Sequence, residues 1–154
     1  MALDPSFVGR TYPPTDPYEV GREKIREFAE SIGETNPVYT DPQAAKALGY
    51  SDVIAPPTFV FAITFKAARH LVVGDPQLGL DFNRVVHGDQ KFTYTRPIEA
   101  ADRLTVTTRI DDIKSLAGND VILISGEVRD AAGEHVVTAM TKLVARAAEA
   151  EESR

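Results

Sequence analysis

The sequence predicts an α+β domain in which an antiparallel sheet wraps around one long, buried helix. A run from Phe59 to Val73 is apolar almost all round, relieved only by Thr64, Lys66, Arg69 and His70. A helix apolar on most of its faces is a buried one. After it, Val86 to Pro97, Arg103 to Ile113, Asp120 to Asp130 and Glu134 to Arg146 are rich in Val, Ile, Thr and aromatics at period two, the mark of consecutive strands. The length of 154 residues suits one core, and a sheet that buries such a helix on one face is a stable layer arrangement.

Met1 to Pro17 carries four of the ten prolines, so the chain opens as an extended arm. From Glu19 to Ser31 the apolar positions Val20, Ile25, Phe28 and Ala29 recur near helical spacing, and Gly33 supplies the stop after Ile32. Gly33 to Thr40 has turn formers and no period, which reads as an ordered loop. Asp41 as N-cap and Pro42 in the first turn open a short helix that ends at Leu48-Gly49. Pro56-Pro57-Thr58 introduces the apolar helix, and Gly74-Asp75-Pro76 breaks it. Gly118-Asn119 and Ala132-Gly133 are the turns expected between the last strands. The domain is expected over 1–146, and 147–154, with three glutamates and no core former, as a flexible acidic tail.

Composition removes several classes of function. With no cysteine there is no thiolate nucleophile, disulfide or Cys-ligated metal. No stretch approaches the ~20 apolar residues of a membrane span, and Met1-Ala2-Leu3-Asp4-Pro5 lacks a secretory pattern, which gives an expectation of a cytoplasmic protein. A net charge of −6 argues against a nucleic-acid partner. His70 and His135 have no nearby Cys, Asp or second His at ligand spacing, so no metal is expected, and no cofactor is expected either.

Three stretches, in order, resemble the MaoC-like family of (R)-specific enoyl-thioester hydratases and 3-hydroxyacyl dehydratases, whose fold is the hot-dog domain. Phe28-Ala29-Glu30-Ser31-Ile32-Gly33-Glu34-Thr35-Asn36-Pro37-Val38-Tyr39-Thr40-Asp41 is similar to the family's hydratase segment. Val53-Ile54-Ala55-Pro56-Pro57-Thr58-Phe59 is similar to the start of its central helix. Gln90-Lys91-Phe92-Thr93-Tyr94-Thr95-Arg96-Pro97-Ile98-Glu99-Ala100-Ala101-Asp102-Arg103-Leu104 is similar to the strand, bulge and strand that follow. The resemblance runs from about the first helix to Leu143 and implies that Asn36, Pro57, Thr58, Phe59, Gln90 and Phe92 line the substrate site.

The departures from the family pattern bear on chemistry. Its active members carry an aspartate and, five residues on, a histidine; here those positions are Glu34 and Tyr39. The longer Glu34 side chain displaces a carboxylate whose placement matters, and tyrosine, titrating near ~10, is a donor at neutral pH and not a base. Taken alone, Asn36-Pro37 reads as an Asx-type turn. Active relatives also have His-Gly after Ile-Ala, with a backbone N–H that polarises the thioester carbonyl, where this chain has Pro56-Pro57, neither of which can donate. Thr58 keeps its N–H. Tyr18-Glu19-Val20-Gly21-Arg22-Glu23-Lys24-Ile25-Arg26-Glu27 further resembles the substrate-binding subunits of the mycobacterial (3R)-hydroxyacyl-ACP dehydratase and the N-terminal halves of two-hot-dog hydratases.

Three functions are therefore in play. The first is a non-catalytic, substrate-binding subunit for acyl-ACP or acyl-CoA, with no catalytic residues of its own, paired with a catalytic hot-dog subunit in a heterodimer or with itself. The second is an autonomous hydratase or thioesterase that uses Glu34, or His87 with Asp89, which would share a face on a regular strand unless Gly88 makes a bulge. The third is an acyl-thioester-sensing protein without a partner enzyme. Arg96 and Asp102 are expected to pair at a strand end, His70 and His135 to be structural, and Phe59, Phe61, Phe65, Phe92 and Tyr94 to form core, some of them lining an acyl tunnel.

Overall fold

The computed structural model describes residues 3–146; the expected acidic tail lies outside them. Prolines keep the leading arm out of any long helix, and a single 3₁₀ turn, Pro5–Phe7, buries Phe7. The arm then follows the edge of a strand. Gly9 N–H donates to Ile110 O at 2.8 Å, Ile110 N–H to Arg10 O at 2.9 Å, Tyr12 N–H to Thr108 O at 2.8 Å and Thr15 N–H to Val106 O at 3.0 Å. It ends in a two-residue strand, β1 (Tyr18–Glu19), paired antiparallel with Leu104 and Arg103.

Helix α1 (Arg22–Ser31) begins three residues later than its apolar pattern suggests, because Glu19 is held in β1 and Gly21 caps the helix in an extended conformation. Its Ile25 and Ala29 are buried one turn apart. The loop after it contains a 3₁₀ turn, Pro37–Tyr39, and α2 (Pro42–Ala47) starts where Asp41 Oδ1 accepts from Gln43 N–H at 2.9 Å. Helix α3 (Val60–Ala68) continues as a π turn over Arg69–Val73, so the whole apolar run is helical. At Gly74 a Cβ would stand 2.5 Å from the His70 carbonyl oxygen, and only glycine closes the helix there.

The sheet is β2 (Val85–Tyr94), β3 (Arg103–Leu116), β4 (Asn119–Arg129) and β5 (His135–Ala145) with β1, in the order β1-β3-β4-β5-β2, antiparallel throughout. Leu104, Val106, Thr108 and Ile110 on β3 and Ile122, Ile124, Gly126 and Val128 on β4 alternate inward. Helix α3 lies across this face and touches β3, β4 and β5. Gly126 permits the approach, since a Cβ there would already meet Thr64 Cγ2 at 3.4 Å. The β3–β4 turn consists of Ala117 (φ 50) and Gly118 (φ 79), one residue earlier than the expected Gly118-Asn119, because Asn119 already pairs with Leu116. This is the hot-dog arrangement, with the curled sheet around the central helix. No helix among the described residues is long and apolar enough to cross a membrane.

Candidate functional site

The loop that leaves α1 is built by its own polar side chains. Gly33, at φ 71, reverses the chain so that Glu34 N–H reaches Ala29 O at 2.9 Å. The Glu34 carboxylate folds back on its own backbone: Oε1 accepts from Thr35 N–H at 3.1 Å and from Asn36 N–H at 3.2 Å. Asn36 Oδ1 accepts from Val38 N–H at 3.1 Å and so starts the 3₁₀ turn that carries Tyr39. Tyr39 is half-buried against the core. Desolvation above all, then the charges of Glu34 and Tyr50, push its phenol above the usual tyrosine range, which keeps it a neutral donor.

Facing that loop is the start of the central helix. Phe59 N–H donates to Pro56 O at 2.9 Å, and Phe61 N–H to Thr58 O at 3.1 Å. The Thr58 N–H has no protein acceptor among the described residues. Tyr94, on β2, donates its hydroxyl to Pro57 O at 2.6 Å and so ties strand to loop. Burial drives the Tyr94 phenol far above its usual range, so it too stays protonated. Between these groups lies a cavity of about 320 Å³ lined by Tyr39, Ile54, Ala55, Pro57, Tyr94 and Arg96 with their neighbours. Arg96 is committed elsewhere: its guanidinium holds Asp102 through two bonds of 2.8 and 3.0 Å and Asp130 at 3.1 Å, while Asp102 also accepts from Glu99 N–H. The pair expected from the sequence forms and sets the wall of the cavity.

Of the residues singled out for the substrate site, Pro57 lines this cavity, where it meets Tyr39 from the dyad position; Thr58, next in the chain, is not among its lining residues. Asn36 is spent on its cap. Phe59 is fully buried and packs edge-to-face on Phe28, centroids 5.5 Å apart. Phe92 packs half-buried against the same cluster. Gln90 Oε1 accepts from the Thr141 hydroxyl at 2.9 Å, and its Nε2 is buried without a partner. Tyr94 is expected from the sequence only as a core aromatic, with some of its kind lining a tunnel; its hydroxyl's bond to Pro57 O is what the sequence does not show.

His87 and Asp89 do not form an acid–histidine pair. The register shifts between them, as a bulge at Gly88 requires, and His87 Nε2 lies 3.1 Å from the backbone carbonyl of Asp89, not its carboxylate. The ring stacks on Phe61 at 5.4 Å, while the Asp89 carboxylate accepts from Gln90 N–H and sits 3.9 Å from Lys142 Nζ. His135 is held between Thr95 and Thr138 hydroxyls at 2.6 and 2.7 Å. Among the described residues no cluster of three or more His, Cys, Asp or Glu forms a metal site.

A model of the FAS1-like dehydratase domain region matches residues 6–139. The chain belongs to that dehydratase-region family. A UPF0336 protein of Streptomyces avermitilis is 80% identical over 97% of this chain and 99% of its own length. Among solved structures, a MaoC-like dehydratase matches with a TM-score of 0.85 and 34% identity over 93% of this chain; the chain spans 43% of that longer protein. The C-terminally truncated HadBC (3R-hydroxyacyl-ACP dehydratase) complex from Mycobacterium tuberculosis matches with a TM-score of 0.77 and 30% identity over 94% of this chain and 99% of the matched one. The dehydratase-region fold described above is thus the MaoC-like hot-dog fold, and the loop, helix start and β2 of this chain are the segments that frame its candidate site.

Proposed function

We propose that this protein binds a fatty acyl thioester, carried by ACP or CoA, as the non-catalytic subunit of an (R)-specific hydratase or dehydratase whose acid–base pair sits on a second hot-dog subunit. The observation that carries the reading is the cavity between Tyr39, Pro57 and Tyr94: it keeps the size and apolar walls of a ligand site, at the lower end of the ~300–1,000 Å³ range, but offers protonated phenols where a base is needed. Proline at 56 and 57 leaves only the Thr58 amide to meet a carbonyl oxygen. That a matched relative belongs to a dehydratase complex supports a partnered role. The bulged His87–Asp89 geometry speaks against the autonomous enzyme built on that pair.

Hydration of a trans-2-enoyl thioester series, by the purified protein alone and then mixed with a catalytic MaoC-like subunit of the same cell, tests this. Turnover is expected only in the mixture. Turnover by the protein alone at the mixture's rate sinks the proposal and returns attention to Glu34; binding of the thioester with no turnover in either case favours a sensor.

A further inference from the structure

The turn that leads into α3 shares out its polar backbone atoms unevenly. The Pro56 carbonyl accepts from Phe59 N–H at 2.9 Å, and the Thr58 carbonyl from Phe61 N–H at 3.1 Å. The peptide unit between them, Pro57–Thr58, makes no backbone bond at either end among the described residues. Its carbonyl is held from outside the turn, by the Tyr94 hydroxyl at 2.6 Å. Its N–H is left open, at an exposed residue. Helix starts leave such amides unsatisfied, but here the other end of the same peptide is tied down by a side chain from β2.

That tie has a geometric consequence. The proline ring fixes the backbone torsion before the Pro57 Cα and leaves the one after it, which turns the Pro57–Thr58 peptide as a plane. No peptide bond among the described residues is cis, so the C=O and N–H of this unit point in opposite directions. Holding the oxygen therefore aims the N–H. Tyr94 is a firm support for that purpose. Its backbone pairs with Val137 in the sheet, its ring packs on the cluster that contains Phe59 and Val60, and burial keeps its hydroxyl protonated. A carbonyl that accepts a hydrogen bond also makes the N–H of its own peptide a stronger donor, because hydrogen bonds in a chain polarise one another.

We infer that Tyr94 is a positioning residue, which through its bond to the Pro57 carbonyl aims and polarises the Thr58 amide toward the carbonyl oxygen of a bound thioester. The inference rests on the thioester reading above and adds to it the side chain that keeps the remaining amide donor in place. Octanoyl-CoA and its thioether counterpart S-octyl-CoA, which differs in having a methylene for the carbonyl, test it on the full-length protein. The octanoyl chain is saturated and is no substrate for hydration, so both affinities are read at equilibrium by calorimetry. The wild type binds the thioester about five-fold tighter than the thioether, the worth of one neutral hydrogen bond, and the carbonyl stretch of carbonyl-labelled octanoyl-CoA moves to lower wavenumber on binding. Tyr94→Phe brings the two affinities together, leaves that for the thioether unchanged, and returns the stretch toward that of the free ligand. Mere structural damage would weaken both ligands alike. Tyr12→Phe, which removes a hydroxyl bonded to Asp75 at 2.8 Å outside the cavity, changes neither affinity. Should Tyr94→Phe unfold, Thr58→Pro removes the amide hydrogen itself at a helix start that tolerates proline, and erases the same preference. Equal affinities of the wild type for the two ligands, or a preference that survives in Tyr94→Phe, overturns the inference and leaves thioester binding intact; failure of the wild type to bind octanoyl-CoA overturns the thioester reading along with it.

Discussion

At the scale of single residues, the site carries Glu34, Tyr39 and Pro57 at the positions where the resemblance implies an aspartate, a histidine and an amide donor. Tyr39 occupies a position where an imidazole would titrate near neutrality, but desolvation and the neighbouring Glu34 charge raise its phenol still higher. Installing the missing dyad tests how much else is lacking. Glu34→Asp with Tyr39→His is expected to give the isolated protein little enoyl-thioester hydration, and a further Pro57→Gly, which returns an amide donor, is expected to raise the rate by roughly 10²-fold, the cost of one absent oxyanion donor. The rate of hydration of a short enoyl-CoA decides it. Much of this loop was legible beforehand, because Gly33, Asn36-Pro37 and Asp41 act on their immediate neighbours through turns and caps. The bond from Tyr94 to Pro57 was not, since it joins residues far apart in sequence and exists only once β2 has docked beside the helix start.

Elements were read correctly where one pattern governs them and misplaced where two compete. The four long strands and the central helix follow from periodicity. Glu19 belongs to a strand although its neighbours look helical, because pairing with Arg103 takes its backbone. At Gly88 one extra residue shifts the alternation, so side chains two apart no longer share surroundings. The β3–β4 hairpin holds Ala117 at φ 50, a left-handed conformation that alanine adopts at a cost. Ala117→Asn is therefore expected to stabilise the protein by about 1 kcal/mol, read as a shift in the denaturation midpoint with unchanged slope. The β4–β5 turn offers a second test. Asp130 accepts from the N–H groups of Glu134 and Ala132 and from Arg96, and these bonds, Glu134's foremost, hold its carboxyl below the usual range. A depressed folded pKa contributes stability that is full above the unfolded value of ~3.9 and disappears as pH falls through the folded one. In Asp130→Asn the melting temperature should be lower at neutral pH and fall less steeply between about pH 5 and 2; a parallel pair of curves would show that the turn bonds carry no such linkage.

Over the whole molecule, the core divides into two clusters. Phe59, Ile98, Leu104 and Val128 anchor one, and Val72, Ile110, Ile122 and Leu143 the other. Thr64 on the helix and Thr108, Gly126 and Thr141 on the sheet are the small and polar residues buried with them. Periodicity foretold which faces turn inward, but a division of that kind depends on how far the helix approaches the sheet, which no local pattern encodes. Strand β2 has one neighbour, β5, and its other edge meets no strand among the described residues. If assembly with a catalytic subunit uses that edge, amide hydrogen exchange over Val86–Thr93 slows on mixing while exchange over β3 stays the same. Slowing confined to α1 or the arm would place the interface elsewhere.

The arm's bonds along β3 bear on the stoichiometry of any such assembly. Gly9, Tyr12, Thr15 and β1 occupy hydrogen-bonding positions from Ile110 down to Arg103, so most of this edge of β3 is already covered by the arm. A subunit with two open sides can be added to without limit, and growth into a fibre is then only a matter of concentration. With that stretch covered, β2 is the longer open row of donors and acceptors left for association. Association through the sheet is therefore expected to favour a pair over a fibre.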